Sequence, residues 1–234
     1  MNQKEFEKKF VNKIIHGDCL KVIKEWPDNC VDLVLTDPPY GIEYDYDQYQ
    51  DTEENLQHVI DNIFPRLINI GVRVSSFCGV QNISKYPQAN WVFSWNWRGT
   101  NTFGYYGINQ WQPILCYGKD ITGFGSINGM IKSDSIYYEG GNCDEKKCFE
   151  KHPCPKNIGI MTRLIRRLSN KDNLILDPFC GSGTTCVAAK MLGRRYIGID
   201  ISKEYCELSR MRLKGLKTGI SVTQQKQGFK GLLG

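Results

Sequence analysis

A recurring unit limits what this chain can become: a short apolar, β-branched run, then a glycine or acidic turn, then an amphipathic helix. Lys13 to Asp18 reads as a strand ending in Gly-Asp, with Cys19 to Trp26 as the helix behind it. Val31-Asp32-Leu33-Val34-Leu35 is the next strand, Glu53 to Asn69 a helix kinked at Pro65, and Gly71 to Phe77 the strand after that. Downstream the rhythm resumes: helix over Lys156 to Leu168, strand over Asn173 to Asp177, helix over Thr184 to Leu192, strand over Arg195 to Asp200, helix over Lys203 to Leu213. Strand–helix–strand units imply parallel strands. The expected fold is therefore α/β, a mostly parallel sheet, with Gln112 to Tyr117 as an antiparallel edge strand near Asn90 to Trp95.

The chain's 234 residues suit a single domain spanning 1–234 with a modest insertion. No apolar run reaches about 18 residues, and the charged N-terminus lacks a secretion signal's apolar core, so a cytoplasmic protein without a membrane span is expected. The ten cysteines are scattered and read as free thiols in a reducing compartment. Cys143, Cys148, His152 and Cys154 form the one cluster, but their spacing is irregular for structural zinc, and no metal is expected.

The net charge of +5 is unevenly spread. Residues 161–234 carry the Lys/Arg excess, including Arg163, Arg166, Arg167, Arg210 and Arg212, which suits a phosphate backbone or an ordinary solvated helix face. Residues 41–52 read as an acidic, aromatic loop over the site, 119–151 as a loop-built insertion, and 215–234 as a loosely held tail.

Two turns carry the chemistry. Thr36-Asp37-Pro38-Pro39-Tyr40-Gly41 follows the second strand, at the sheet edge where open α/β folds bind ligands. Its prolines fix the backbone and leave a carboxylate, a main-chain acceptor and an aromatic face, which suits a flat molecule bearing an NH₂ group; a plain turn fits the tetrapeptide too. The second turn is Asp177-Pro178-Phe179-Cys180-Gly181-Ser182-Gly183-Thr184, between a strand and a helix, as in nucleotide-type cofactor sites. Asp200 ends the next strand about 20 residues on, where a carboxylate takes ribose hydroxyls. The absence of a third glycine and of Gly-Lys-Ser/Thr argues against a dinucleotide or a triphosphate loop. Between the halves, residues 96–111 bring Trp97, Arg98, Tyr105 and Tyr106 together, either as a packed aromatic loop or as a surface that stacks unpaired bases.

In this order the two turns resemble those of the S-adenosylmethionine-dependent DNA amino-methyltransferases of the permuted β group. His152-Pro153-Cys154-Pro155-Lys156-Asn157 is similar to that family's His-Pro-x-x-Lys-Pro, with Asn157 in place of the last proline, and the likeness runs over roughly residues 13–213. The resemblance implies a Rossmann-like methyltransferase fold with circularly permuted motif order. It implies transfer of methyl to N6 of adenine in DNA, or to N4 of cytosine as the alternative, within a restriction–modification setting. A cofactor-binding nucleic-acid module without turnover is the reading from a different class.

By the same resemblance Asp37, Pro38, Pro39 and Tyr40 are catalytic, the target base of a double-stranded substrate being flipped out to meet them. Asp177, Phe179, Gly181, Gly183 and Thr184 would hold the cofactor's methionine part, Asp200 its ribose, and Asp18 with Cys19 its adenine, with Cys180, Ser182 and Ile201 also in the cofactor site. Lys156 would meet the cofactor carboxylate or cap its helix, and Trp97, Arg98, Tyr105 and Tyr106 would touch DNA. The 119–151 insertion would read the target, the host is a bacterium or a phage-infected cell, and a homodimer is compatible with the sequence.

Overall fold

A computed structural model describes residues 2–46, 48–97, 103–104, 107–119, 126–127, 130–131, 133–137 and 156–218. Its main sheet is built from β1 (Lys13–His16), β2 (Leu33–Thr36), β3 (Arg73–Phe77), β4 (Trp91–Asn96), β5 (Trp111–Gly118), β6 (Ser135–Tyr137), β7 (Leu174–Asp177) and β8 (Arg195–Asp200). The spatial order is β1-β8-β7-β2-β3-β5-β4-β6. Every neighbouring pair is parallel except those made by β5, which runs against both β3 and β4. The reversed strand is thus not at the edge, as the sequence suggested. Beyond it lie β4 and then β6, a short strand inside the segment read as a loop-built insertion. Reversal places the beginning of β5 beside the carboxyl ends of the other strands.

Side chains alternate along each strand, so one strand feeds two cores. Val34, Leu174, Leu176, Ile197 and Ile199 pack with α1 (Gln3–Phe10), α2 (Cys19–Ile23), α3 (Glu53–His58) and α4 (Phe64–Ile70). Leu33, Leu35, Ile175 and Tyr196 pack on the opposite face with α5 (Ile158–Leu168), α6 (Thr184–Met191) and α7 (Lys203–Thr218). The result is a three-layer sandwich with helices on both faces, as a parallel sheet requires.

Helix α1 escapes a reading of hydrophobic rhythm because it is short and highly charged. A capping box starts it: the Glu5 N–H donates to Asn2 Oδ1 at 2.9 Å and the Asn2 N–H to Glu5 Oε2 at 3.1 Å. Phe6 and Phe10 then close on the Trp26 ring, with centroids 5.0 and 4.9 Å away.

The helix expected over Glu53 to Asn69 is present as one continuous helical run that changes pitch partway. A π-helical turn, Val59–Ile63, separates α3 from α4, and Pro65 sits in the first turn of α4, where its missing N–H costs nothing. At the chain's other end α7 continues through Gly215 to Thr218, into the segment read as a loosely held tail. Residues 219–234, and the Cys143/Cys148/His152/Cys154 cluster, lie outside the described residues.

Several cations of the basic C-terminal third serve the fold. Arg212 is only 7% exposed and donates to Ser182 O, Ser182 Oγ and Thr184 Oγ1 at 2.8, 3.2 and 2.9 Å, so it does not belong to a DNA-facing surface. Arg210 donates to Ile14 O at 2.8 Å, and Arg163 and Arg167 to the carbonyls of Tyr137 and Ser133. Among the described residues no helix is long and apolar enough to cross a membrane.

Candidate active site

Adjacent parallel strands present acids at their carboxyl ends. Asp18 follows β1, Asp37 follows β2, Asp177 ends β7 and Asp200 ends β8. Strands β7 and β2 are neighbours although their residues lie about 140 positions apart, which makes this gap the switch point of the sheet. One bond joins the two turns directly: Thr36 Oγ1 donates to Asp177 Oδ1 at 2.8 Å. A cavity of about 250 Å³ opens there, lined by Gly17, Asp18, Cys19, Asp37, Pro39, Lys156, Asp177, Phe179, Cys180, Gly181, Ser182, Thr184, Asp200 and Ile201 among others. Most of the predicted cofactor and catalytic residues therefore share one concave surface.

The acids differ in environment. Asp18 caps α2, accepting the Leu20 N–H at 2.9 Å. Asp200 accepts the Gly181 N–H at 2.7 Å and the Ser202 N–H at 2.9 Å, which fixes its carboxylate against the glycine turn. Burial raises its pKa, and those N–H bonds oppose the rise. Asp177 is 4% exposed, and burial pushes its carboxyl up to about 7 against hydrogen bonds from Thr185, Thr36 and the Phe179 N–H.

Gly183 does not line the cavity, contrary to its reading as a cofactor contact. It precedes α6 with φ +80°, and a Cβ there would lie 2.6 Å from Ser209 Oγ, the hydroxyl that donates to Gly181 O at 2.7 Å. Gly183→Ala is accordingly expected to cost about 1–3 kcal/mol of stability. A thermal melt of the variant would show it as a lower Tm, and an unchanged Tm would mean the turn is not strained.

The Asp-Pro-Pro-Tyr turn is held from several sides. Asn82, 2% exposed, donates to Tyr40 O at 2.7 Å. The Tyr40 hydroxyl donates to Asp37 Oδ1 and accepts from Gln112 Nε2. Burial first, and the Asp37 charge second, keep the Tyr40 phenol well above its usual pKa, so it remains a donor. Asp37 and Pro39 of this turn line the cavity, and Pro38 and Tyr40 complete the turn beside them.

Lys156 does not cap α5. That role falls to Asn157, whose Oδ1 accepts the Gly159 N–H at 2.7 Å, while Lys156 Nζ lies 3.2 Å from Asp37 Oδ1. Trp97 stands at the outer end of an aromatic row leading inward: its ring centroid is 4.9 Å from Trp95, which is 6.0 Å from Phe77. Arg98, Tyr105 and Tyr106 lie outside the described residues.

The segment read as a loop over the site is a hairpin pairing Asp45–Tyr46 with Tyr49–Gln50. Its base is tied by the Asp51 carboxylate, 2% exposed, which accepts the N–H groups of Gly41, Ile42 and Tyr44 at 2.6, 3.3 and 3.3 Å. Tyr46, Gln48 and Tyr49 line the cavity from above, and Asn55, His58, Val59 and Ile63 close its far side. These residues, like Gln112, Asn82 and Thr36, carry no motif.

The glycine turn and the carboxylate–proline turn thus meet on one cavity at the carboxyl edge of a mostly parallel α/β sheet. The chain belongs to the DNA methylase family of N6/N4 amino-methyltransferases, whose profile matches residues 81–211. It is 28% identical over 250 residues to the type II methyltransferase M.HpaI of Haemophilus parainfluenzae, spanning 92% of this chain and 78% of that one. The DNA adenine methyltransferase YhdJ of Escherichia coli (strain K12) is 27% identical over 248 residues, spanning 86% and 82%. Among solved structures, M1.HpyAVI in complex with S-adenosylmethionine aligns with a TM-score of 0.65 at 25% identity, covering 86% of this chain and 98% of that chain.

Proposed function

We propose that this protein transfers a methyl group from S-adenosylmethionine to the exocyclic N6 amine of adenine in double-stranded DNA, with the target base rotated out of the helix. The observation that carries it is the Thr36–Asp177 bond, which sets the amine-binding turn and the cofactor turn side by side on one cavity. Family membership supplies the reaction class, and the likeness to YhdJ, together with aspartate at the head of the Asp-Pro-Pro-Tyr turn, favours adenine over cytosine.

The lining fits such a cofactor. Phe179, Val59, Ile63 and Met161 offer apolar walls, Asp200 an acceptor pair for a ribose diol, and Asp177 an acid for an ammonium group. The Tyr49 hydroxyl, buried without a hydrogen-bond partner among the described residues, is a polar group that a ligand in this cavity satisfies. Held by these residues, the cofactor would supply an activated methyl group on a sulfonium, with a neutral thioether as the leaving group.

The protein's own part is positioning and electrostatics. An aromatic amine is a weak nucleophile because its lone pair is shared with the ring. Asp37 and the Pro38 carbonyl accept its two hydrogens, draw the nitrogen toward tetrahedral geometry and free the lone pair. After transfer Asp37 takes one amine proton and passes it to water.

The test is methylation of unmodified double-stranded DNA, single-stranded DNA and RNA with labelled cofactor, followed by nucleoside analysis. Label in N6-methyladenine from duplex DNA is the expected result. Label in N4-methylcytosine would make cytosine the substrate in place of adenine, and cofactor binding without transfer to any acceptor would point to a non-catalytic module.

A further inference from the structure

We propose that Lys156, set in place by Gln112, positions the Asp37 carboxylate for methyl transfer and is not a contact for the cofactor. The inference rests on the reading of the chain as a DNA methyltransferase. The ammonium of Lys156 has three hydrogens and meets three oxygens: Asp37 Oδ1 at 3.2 Å, Tyr40 OH at 3.3 Å and Gln112 Oε1 at 3.1 Å. It also lies 5.5, 5.1 and 5.8 Å from the ring centroids of Tyr40, Phe77 and Trp95. The ammonium is thus aimed at the Asp37–Tyr40–Gln112 cluster, with hydrogen bonds to Tyr40 and Gln112 and an ion pair to Asp37.

Each partner is brought by a different element. Asp37 and Tyr40 follow β2, Lys156 stands two residues ahead of α5, and Gln112 lies at the start of β5, paired with Trp95 of β4. The reversal of β5 within the sheet is what delivers Gln112 to the carboxyl edge. Its amide joins the other two, donating from Nε2 to Tyr40 and accepting at Oε1 from Lys156.

The consequence for Asp37 is mechanical and electrostatic. Lys156 and Tyr40 both hold Oδ1, so the carboxylate cannot rotate freely and Oδ2 is left as the acceptor with a fixed aim. As a base enters and water leaves, the adjacent ammonium keeps an opposite charge beside the carboxylate. Strong basicity is not required of Asp37. The amine lone pair forms the N–C bond, the nitrogen becomes cationic, and its proton is then readily given up.

The experiment compares full-length wild type with K156M, K156R and Q112L in single-turnover transfer to unmodified duplex DNA at saturating cofactor, with cofactor affinity measured by calorimetry. K156M is expected to slow transfer on the order of 10–50-fold, Q112L about 3–10-fold, and both to keep cofactor affinity within about twofold. K156R, whose guanidinium reaches the same oxygens, should recover most of the rate. If K156M fails to fold, as a melt would show, Q112L and K156R decide the matter through the same split between rate and affinity. An unchanged K156M rate, or cofactor affinity weakened tenfold with the saturated rate intact, would overturn the proposal while leaving the methyltransferase reading in place. A wild type that methylates no acceptor would remove both.

Discussion

Asp37→Ala is expected to reduce methyl transfer on the order of 10²–10⁴-fold while cofactor affinity stays within about threefold. Alanine removes the acceptor for the amine hydrogens and the group that takes the proton, leaving only the Pro38 carbonyl. The acids that would hold the cofactor, Asp177 and Asp200, keep their own partners at Thr36, Gly181 and Ser202. Lys156 loses one of its oxygens but retains Gln112 and Tyr40, so the site should persist. Asp37→Asn is the companion variant: it preserves shape but substitutes one acceptor by a donor, and it should be nearly as slow. Radiolabel transfer and calorimetric titration on the same preparations give both numbers. A variant that loses cofactor binding in step with transfer would place Asp37 in the cofactor site and not the amine site.

The acids at the strand ends are legible in the sequence because each follows an apolar run with nothing else to end it. Asp37, Asp177 and Asp200 are found this way, and the glycine turn between Asp177 and Thr184 marks the cavity they share. What stays hidden depends on which strands meet. Thr36 looks like one more strand residue until β2 is seen beside β7. Gln112 is readable as the start of an antiparallel edge strand, but its meeting with Tyr40 and Lys156 emerges only once β5 is seen between β3 and β4. Lys156 is visible as a motif residue, yet its partner Tyr40 is 116 positions away, and no local rule chooses between a cofactor carboxylate and Asp37. Gly183 carries a packing reason that its motif does not reveal. Its place in the glycine turn suggests a ligand, whereas its missing side chain makes room for Ser209. The β6 strand and the hairpin over the cavity are too short to carry a readable period.

Cofactor binding is expected to tighten on the order of 100-fold between about pH 5 and pH 8, through Asp177. In the free protein burial lifts this carboxyl from 3.8 to about 7. The folded state therefore holds a proton that the unfolded chain has already released, and the stability contributed by that proton declines as pH rises from the usual carboxylate range through 7. A cationic ammonium placed against Asp177 reverses the preference, because it favours the ionised form. Below pH 7 each unit of acid then costs about tenfold in affinity, since the proton must leave before the ammonium can pair. Calorimetry in buffers of different ionisation enthalpy should show close to one proton released per cofactor bound near pH 6 and almost none at pH 8. Asp177→Asn should bind weakly at both values and lose most of the dependence, which separates Asp177 from Asp200, also shifted upward by burial. A flat affinity profile in the wild type would mean that the cofactor's charged group lies elsewhere, and that Asp177 serves only to hold Thr36 and the turn at Phe179.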